Sequence, residues 1–473
     1  MKLKITLFSL LFFITNLVFS QPWMEYVDAD KKKQNDVTFF DIQKAFNKYT
    51  KAHNVEKGYV IKDGEKHKFG GWKQYKRWEH FWEVRVDPKT GEFPEKSPFQ
   101  VYKKYLQDNS KEKLTDNSNW TNLGTDSSDG GYHGIGRLNC IEFHPDDKNT
   151  YWVGAPSGGL WQTTNDGESW ETFTDTNTVI GVSDIAIPSD YDTSKTIYIA
   201  TGDRDARDNY STGVLKSTDG GVTWQESLSF DVANTELVNH LLIDPNNDSI
   251  ITAATTQGVM KTTDAGVSWN KISNVILKDI EFKPGNAGVI YGSTSGDPTK
   301  IYRSIDSGQT WTESLSVEGN RTELTVSADD SEIVYAVVAN TDNGLKGVYK
   351  STNSGVDFTK VYSSKNLLGW ESDGTDSGGQ GWYDLTIIAD PNHADTVFVG
   401  GVNTWRSVDG GNSWKIVNHW TGDAGTPTAH ADKHAMEYQN GTSVLFEGNA
   451  GGIYRTTDNG ESWEDLTNGM VIS

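Results

Sequence analysis

The 473-residue chain contains one cysteine, Cys140, so no intramolecular disulfide can form and a disulfide-stapled scaffold is excluded. A lone cysteine in a strand-like segment reads as a small buried residue. Long hydrophobic runs are also missing. Beyond the first residues, no stretch approaches the ~20 apolar residues of a membrane-spanning helix, so no membrane span is expected. Positive charge is in short supply: 43 Lys and Arg face 65 Asp and Glu, for a net charge of −22. Phosphate backbones repel such a chain, which removes nucleic acid from the partners to consider.

What is present begins with MKLKITLFSLLFFITNLVFSQ: two lysines, an apolar run from Ile5 to Val18, then small and polar residues. That order predicts a secretory signal peptide over residues 1–20, cleaved near Ser20–Gln21. The mature protein is expected to be secreted or held at the cell surface, and monomeric. Residues 21–118 read as a helical lead-in region. TFFDIQKAFNKY spaces Phe39, Ile42, Phe46 and Tyr49 as a helix would, with Thr38 and Asp41 as a capping pair. GWKQYKRWEHFWEVRV sets Trp72, Tyr75, Trp78 and Trp82 on one helical face, the pattern of a buried stripe.

From residue 119 to residue 473 the pattern changes to short β-segments punctuated by turn clusters such as PDDKN, PNND and PNHAD. One octapeptide recurs seven times: TTNDGESW at 163–170, STDGGVTW at 217–224, TTDAGVSW at 262–269, SIDSGQTW at 304–311, STNSGVDF at 351–358, SVDGGNSW at 407–414 and TTDNGESW at 456–463. Its last residues (Trp170, Trp224, Trp269, Trp311, Phe358, Trp414, Trp463) lie 42 to 56 residues apart. Such a period, with several strands per unit, predicts an all-β, seven-bladed β-propeller of four-stranded blades, drawn between Arg137 and Asn468. Within each copy the third residue can accept turn N–H groups, the glycine tolerates a positive φ, and the aromatic packs into the sheet. Asn165 and Asn353 stand where Asp219, Asp264, Asp306, Asp409 and Asp458 stand elsewhere. A turn acceptor survives that exchange and a catalytic carboxylate does not, so the repeat reads as a structural device.

The pattern S/T-x-D/N-x-G-x-x-W/F resembles the Asp-box, or BNR repeat, of sialidases, xyloglucan-cleaving glycoside hydrolases, sortilin-type receptors and photosystem II assembly factors, over about 163–463. The resemblance implies that the box hairpins lie on the side of the propeller away from the ligand face. It carries departures too. The Arg-Ile-Pro-type tripeptide of sialidases is missing. Where the xyloglucanase-like enzymes place a catalytic Asp before a Gly-Gly pair, this chain reads GAPSGGLW, with Ser157 in that position.

Candidate chemistry therefore falls on the opposite rim, in the second-to-third-strand loops and the connections between units. SSDGGYHGIGRLN carries Tyr132, His133 and Arg137. GDRDARDNYSTG carries Asp203, Arg204, Asp205, Arg207, Asp208 and Tyr210, read either as a self-neutralising solvated loop or as general acid, base and anion clamp. LLGWESDGTDSGGQGWYD brings Trp370, Trp382, Tyr383 and Asp384 on a glycine-rich connection suited to stacking on sugar rings. In HADKHAMEY, His430, Asp432 and His434 alternate, so on a strand they share one face and form a ligand set for zinc or another divalent ion; the alternative is a hydrogen-bonded polar plug. The expected partner is a polysaccharide or a cell-surface protein, bound by a non-catalytic, sortilin-like face. The alternative is a secreted glycoside hydrolase or polysaccharide lyase using Asp203, Asp205 and Asp208. The closing TNGMVIS reads as the start of another strand; seven units can close the ring by themselves, with WTNLGT at 120–125 available as an extra or closing strand, and the alternative is the first part of a longer protein.

Overall fold

The computed structural model describes residues 22–34, 36–62, 64–96, 98–108, 124–230 and 236–472, so the expected signal peptide and most of WTNLGT lie outside the described residues. The chain divides into two compact units, one ending at Lys104 and the other beginning at Tyr105.

In the first unit, a helix spans Phe39–Ala52. Thr38 caps it: its hydroxyl accepts the Asp41 N–H, and the Asp41 carboxylate accepts the Thr38 N–H at 3.0 Å. The aromatic stripe of a second helix, Trp72–Glu83, faces inward. Tyr75 stacks on Phe46, and Trp23 meets both rings edge-on. Phe46, Tyr75 and Trp23 are all buried, each contributing about 1.5–3 kcal/mol of apolar burial.

The second unit is a seven-bladed propeller. Seven antiparallel sheets of four strands follow one another along the chain, each in simple meander order. The innermost strands are Cys140–Phe143, Val182–Ala186, Val238–Asp244, Asp279–Lys283, Arg321–Val326, Thr386–Asp390 and Lys433–Tyr438, which define blades 1 to 7. Each lies beside the next, and that of blade 7 lies beside that of blade 1. Cys140 is a buried free thiol on blade 1. The cores lie between blades, where aromatics of successive sheets interlock: Phe446 of blade 7 meets Phe143 and Tyr151 of blade 1 at 5.0 and 5.2 Å between ring centroids. Among the described residues no helix is long and apolar enough to cross a membrane.

The ring closes with its seven four-stranded units, as expected, and the WTNLGT segment offered as an extra or closing strand lies mostly outside the described residues. Among the described residues, no blade shares a strand with another part of the chain. Instead, the Ile135 and Leu138 amides donate to the Gly451 and Asn449 carbonyls across the seam. The TNGMVIS segment is not a strand; Met470 and Ile472 bury themselves in the apolar cluster of Ile135, Leu138 and Trp170. Two glycines make room for this tail. A Cβ on Gly158 would stand 2.4 Å from Ile472 Cα, and one on Gly136 would stand 2.6 Å from the Ile472 carbonyl oxygen.

Each octapeptide forms the same turn between the third and fourth strands of its blade. In blade 2 the Ser217 hydroxyl donates to Asp219 Oδ1 at 2.8 Å and accepts the Gly221 N–H at 2.8 Å. Asp219 in turn accepts the Thr223 N–H at 2.9 Å and the Thr223 hydroxyl at 2.6 Å. The two asparagine copies keep the Oδ1 acceptor. Their amide nitrogens donate instead, Asn165 to the Ser169 hydroxyl and Asn353 to the Asp357 carboxylate. The fourth residue as well as the glycine has a positive φ, although it is Asp166, Ala265, Ser307, Ser354 or Asn459 in five copies.

Candidate functional site

The octapeptide turns and the first-to-second-strand loops share one rim. The opposite rim carries every loop singled out above, and there the first half of the blade-2 loop, residues 202–206, turns inward rather than lying in solvent. Its Arg204 side chain descends into the mouth of the central channel. Nη2 donates to the carbonyls of Asn139 (3.0 Å) and His434 (3.5 Å), and Nη1 to that of Asn239 (3.3 Å). Asp205 follows it down and is fully buried. Its carboxylate meets Lys278 Nζ at 2.9 Å, Arg321 Nη2 at 3.0 Å and His434 Nδ1 at 3.0 Å. Burial alone would raise this carboxyl, but those three groups hold it well below the usual range. Burial pulls the Lys278 ammonium down to about 8 against the pull of Asp205, so it stays charged at neutral pH. The loop is therefore a plug that binds the inner ends of blades 1, 3, 4, 5 and 7.

Asp203, also fully buried, holds the loop in shape. It pairs with Arg137 and accepts the amides of Asp205 (3.1 Å), Ala206 (3.2 Å) and Asp208 (3.2 Å). Of the three aspartates expected to act if this were an enzyme, Asp203 and Asp205 are thus committed to structure, and only Asp208 turns to solvent. Arg207, with φ 58°, and Tyr210 are also exposed beside it. Asn209 reaches across to blade 1, donating to the Pro156 carbonyl and to the Ser157 hydroxyl at 2.9 Å, which brings this exposed run of the loop next to Ser157.

The connection before blade 6 is anchored despite its glycines. Asn366 accepts the Leu345 and Leu368 amides and donates to the Gly378 carbonyl, and the Asp376 carboxylate accepts the Trp370 amide. This fixes Trp382, which is 53% exposed, and Tyr383, whose ring lies edge-on to His434 and under the Arg137 guanidinium at 5.1 Å. Burial pushes the Tyr383 phenol up to about 12. Asp384 is buried, and neither carboxyl oxygen has a hydrogen-bond partner. Burial, with the Asp432 carboxyl beside it, raises Asp384 well above the carboxylate range. Asp432 accepts the Gln380 amide at 2.9 Å. Across the rim, Tyr132 is 57% exposed and leans on Trp420 with 5.6 Å between ring centroids, and His133 is exposed next to it.

The metal reading of His430, Asp432 and His434 loses its premise. The strand begins only at Lys433, and Asp432, with φ 65°, breaks the alternation. His434 is buried against Asp205, while His430 Nδ1 faces the Ala431 carbonyl at 3.1 Å. Among the described residues no group of three or more His, Cys, Asp or Glu is set to hold a metal ion. The polar-plug alternative describes His434 correctly. Lys278 and Arg321, unforeseen in the sequence, carried one signal: like Arg137 and Lys433, each is a cation at or just before the start of an innermost strand.

No protein-family model matches the chain. It is 26% identical over 346 residues to the xyloglucanase Xgh74A of Acetivibrio thermocellus, covering 61% of this chain and 39% of that protein. A Paenibacillus xyloglucanase is 26% identical over 361 residues, 64% of this chain and 33% of its own length. A Hypocrea jecorina xyloglucanase is 30% identical over 207 residues, 37% of this chain and 24% of its own. The chain thus spans well under half the length of the curated relatives it matches. Among solved structures, the Niastella koreensis GH74 enzyme superposes with a TM-score of 0.54 at 18% identity, over 72% of this chain and 55% of that one. The Xanthomonas campestris GH74 xyloglucanase gives 0.53 at 17%, over 71% and 55%. These superpositions support the propeller fold. The relatives are polysaccharide-cleaving enzymes, which favours the glycoside hydrolase alternative over the sortilin-like binding expected from the sequence.

Proposed function

We propose that this propeller is part of a glycoside hydrolase acting on a polysaccharide of the xyloglucan class, engaged on the rim opposite the octapeptide turns. The observation that carries the reading is the sequence match to xyloglucanases over more than half of the chain. The rim chemistry supports it. Trp382 and the Tyr132–Trp420 pair offer stacking faces for sugar rings. Asp208 offers an exposed carboxyl group on this rim, and beneath it burial raises the Asp384 carboxyl well above its ordinary range, so the same face carries two carboxyl groups in unlike surroundings. Asn209, the chain neighbour of Asp208, donates to the hydroxyl of Ser157, the position where the resemblance implies an acid.

The test is release of reducing ends from xyloglucan and other neutral β-glucans by the full chain. The expected result is release that falls by about a hundredfold or more in Asp208→Asn with the melting temperature unchanged, the size of a lost acid–base group. Neither cleavage nor retention on any glycan would overturn the reading; retention without cleavage would return it to a binding propeller.

A further inference from the structure

Below the Arg204 plug the central channel continues as a cavity of ≈ 480 Å³, opening towards the octapeptide-turn rim between Ile187, Pro284 and Pro391. That volume is in the range of small-molecule sites. Its wall is acidic, but the acids fall into two sets. Asp184 and Asp279 are satisfied: Asp184 accepts the Leu241 amide at 2.6 Å, Asp279 accepts the Leu324 amide at 2.9 Å, and His240 stands between them, 2.8 Å from Asp279. Glu323 is taken by Arg321 at 2.6 Å. The side chains of Glu142, Glu281 and Glu437, from blades 1, 4 and 7, make no hydrogen bond or ion pair to another described residue. Leu242 and Ile388 line the same cavity with aliphatic surface.

A second observation at the closed end is independent of these glutamates. His434 lines the cavity and is fully buried; its Nδ1 is given to Asp205, and its Nε2 has no partner. Burial keeps this imidazole neutral, so Nε2 is a bare acceptor where a folded chain normally supplies a donor. The buried imidazole nitrogen calls for a hydrogen-bond donor, and three carboxyls without a protein partner line the same cavity. They are not grouped as metal ligands, and the wall beside them is apolar.

We propose that this cavity is a binding site for an organic cation, an ammonium group carried on an aliphatic stem, supplied either by a free diamine or by a lysine side chain. The ammonium brings three N–H donors to glutamates that have none, and the stem lies along Leu242 and Ile388. In the empty cavity burial raises Glu142 and Glu281 well above the usual range and pushes Glu437 up to about 7, with Asp184 and Asp279 opposing ionisation and His240 and Arg204 favouring it. Pairing with an ammonium favours the ionised form of the glutamate it meets, so binding is expected to release protons to solvent. This site is separate from the polysaccharide rim and does not depend on that reading.

Calorimetric titration of the full chain with cadaverine, Nα-acetyl-lysine amide and the neutral analogue pentanediol, in two buffers of different ionisation enthalpy, tests it. The expected result is saturable binding of one or both amines with proton release, none for pentanediol, and affinity at least about tenfold lower in Glu281→Gln/Glu437→Gln. Glutamine mimics the protonated carboxyl, so the ring is expected to stay folded; Glu142→Gln gives the same readout if the double variant does not. Binding of cadaverine alone names a small-molecule ligand, and binding of both names a lysine side chain as an equal source. No binding of either amine, equal binding of pentanediol, or unchanged affinity in the glutamine variants would overturn it.

Discussion

On the rim of the octapeptide turns, seven Ser or Thr hydroxyls each close a local loop, bonding to a residue two positions on and to a glycine amide four positions on. On the opposite rim a single loop reaches the inner strands of five other blades through Arg204 and Asp205. The first rim spreads its stabilisation over copies that do not depend on one another. The second concentrates it in one buried carboxylate and one guanidinium. A defect in a turn should therefore stay in its blade, and a defect in the plug should be felt around the ring.

The largest expected effect comes from the plug. Asp205→Ala leaves Lys278 and Arg321 buried without their anion and His434 without its acceptor, a loss of about 3–5 kcal/mol in unfolding free energy by denaturant titration. A loss no greater than that of a turn variant would break the comparison. Ser217→Ala comes next. It strips the buried Gly221 amide of its acceptor, at about 1–3 kcal/mol, and hydrogen exchange should quicken in blade 2 alone.

Asp264→Asn should be the smallest and is read against pH. The Ser268 hydroxyl and amide hold the Asp264 carboxyl down to about 2 from an ordinary value near 3.8. A depressed carboxyl contributes stability that is present above its unfolded value and lost as pH falls through its folded one. Thermal melts of the wild type should therefore fall between those two values, and Asp264→Asn should flatten part of that fall. An identical acid profile in the variant would contradict the turn account.

The seven turns were legible in the sequence because every contact they make is local and recurs with the motif, and blade count and strand order followed from their period. Even there, the positive φ of the fourth residue was hidden, because Ala265 or Ser307 gives no glycine signal. The plug was not legible. Asp205 meets Lys278 and His434 across 73 and 229 residues, and no spacing rule reports contacts made only once the ring has closed. The alternation of His430, Asp432 and His434 pointed to a strand face that the backbone at Asp432 interrupts. Asp208, Trp382 and Tyr132 were visible as candidates because exposed residues on unique loops stand apart from a repeat.

The division between the rims is tested most directly by gel retardation in immobilised xyloglucan, comparing Trp382→Ala with Val267→Ala, two exposed positions on opposite rims. The expected result is a retarded wild type, retardation lost in Trp382→Ala, and retardation kept in Val267→Ala. Loss in Val267→Ala with Trp382→Ala unaffected would place the polysaccharide on the turn rim and contradict the account.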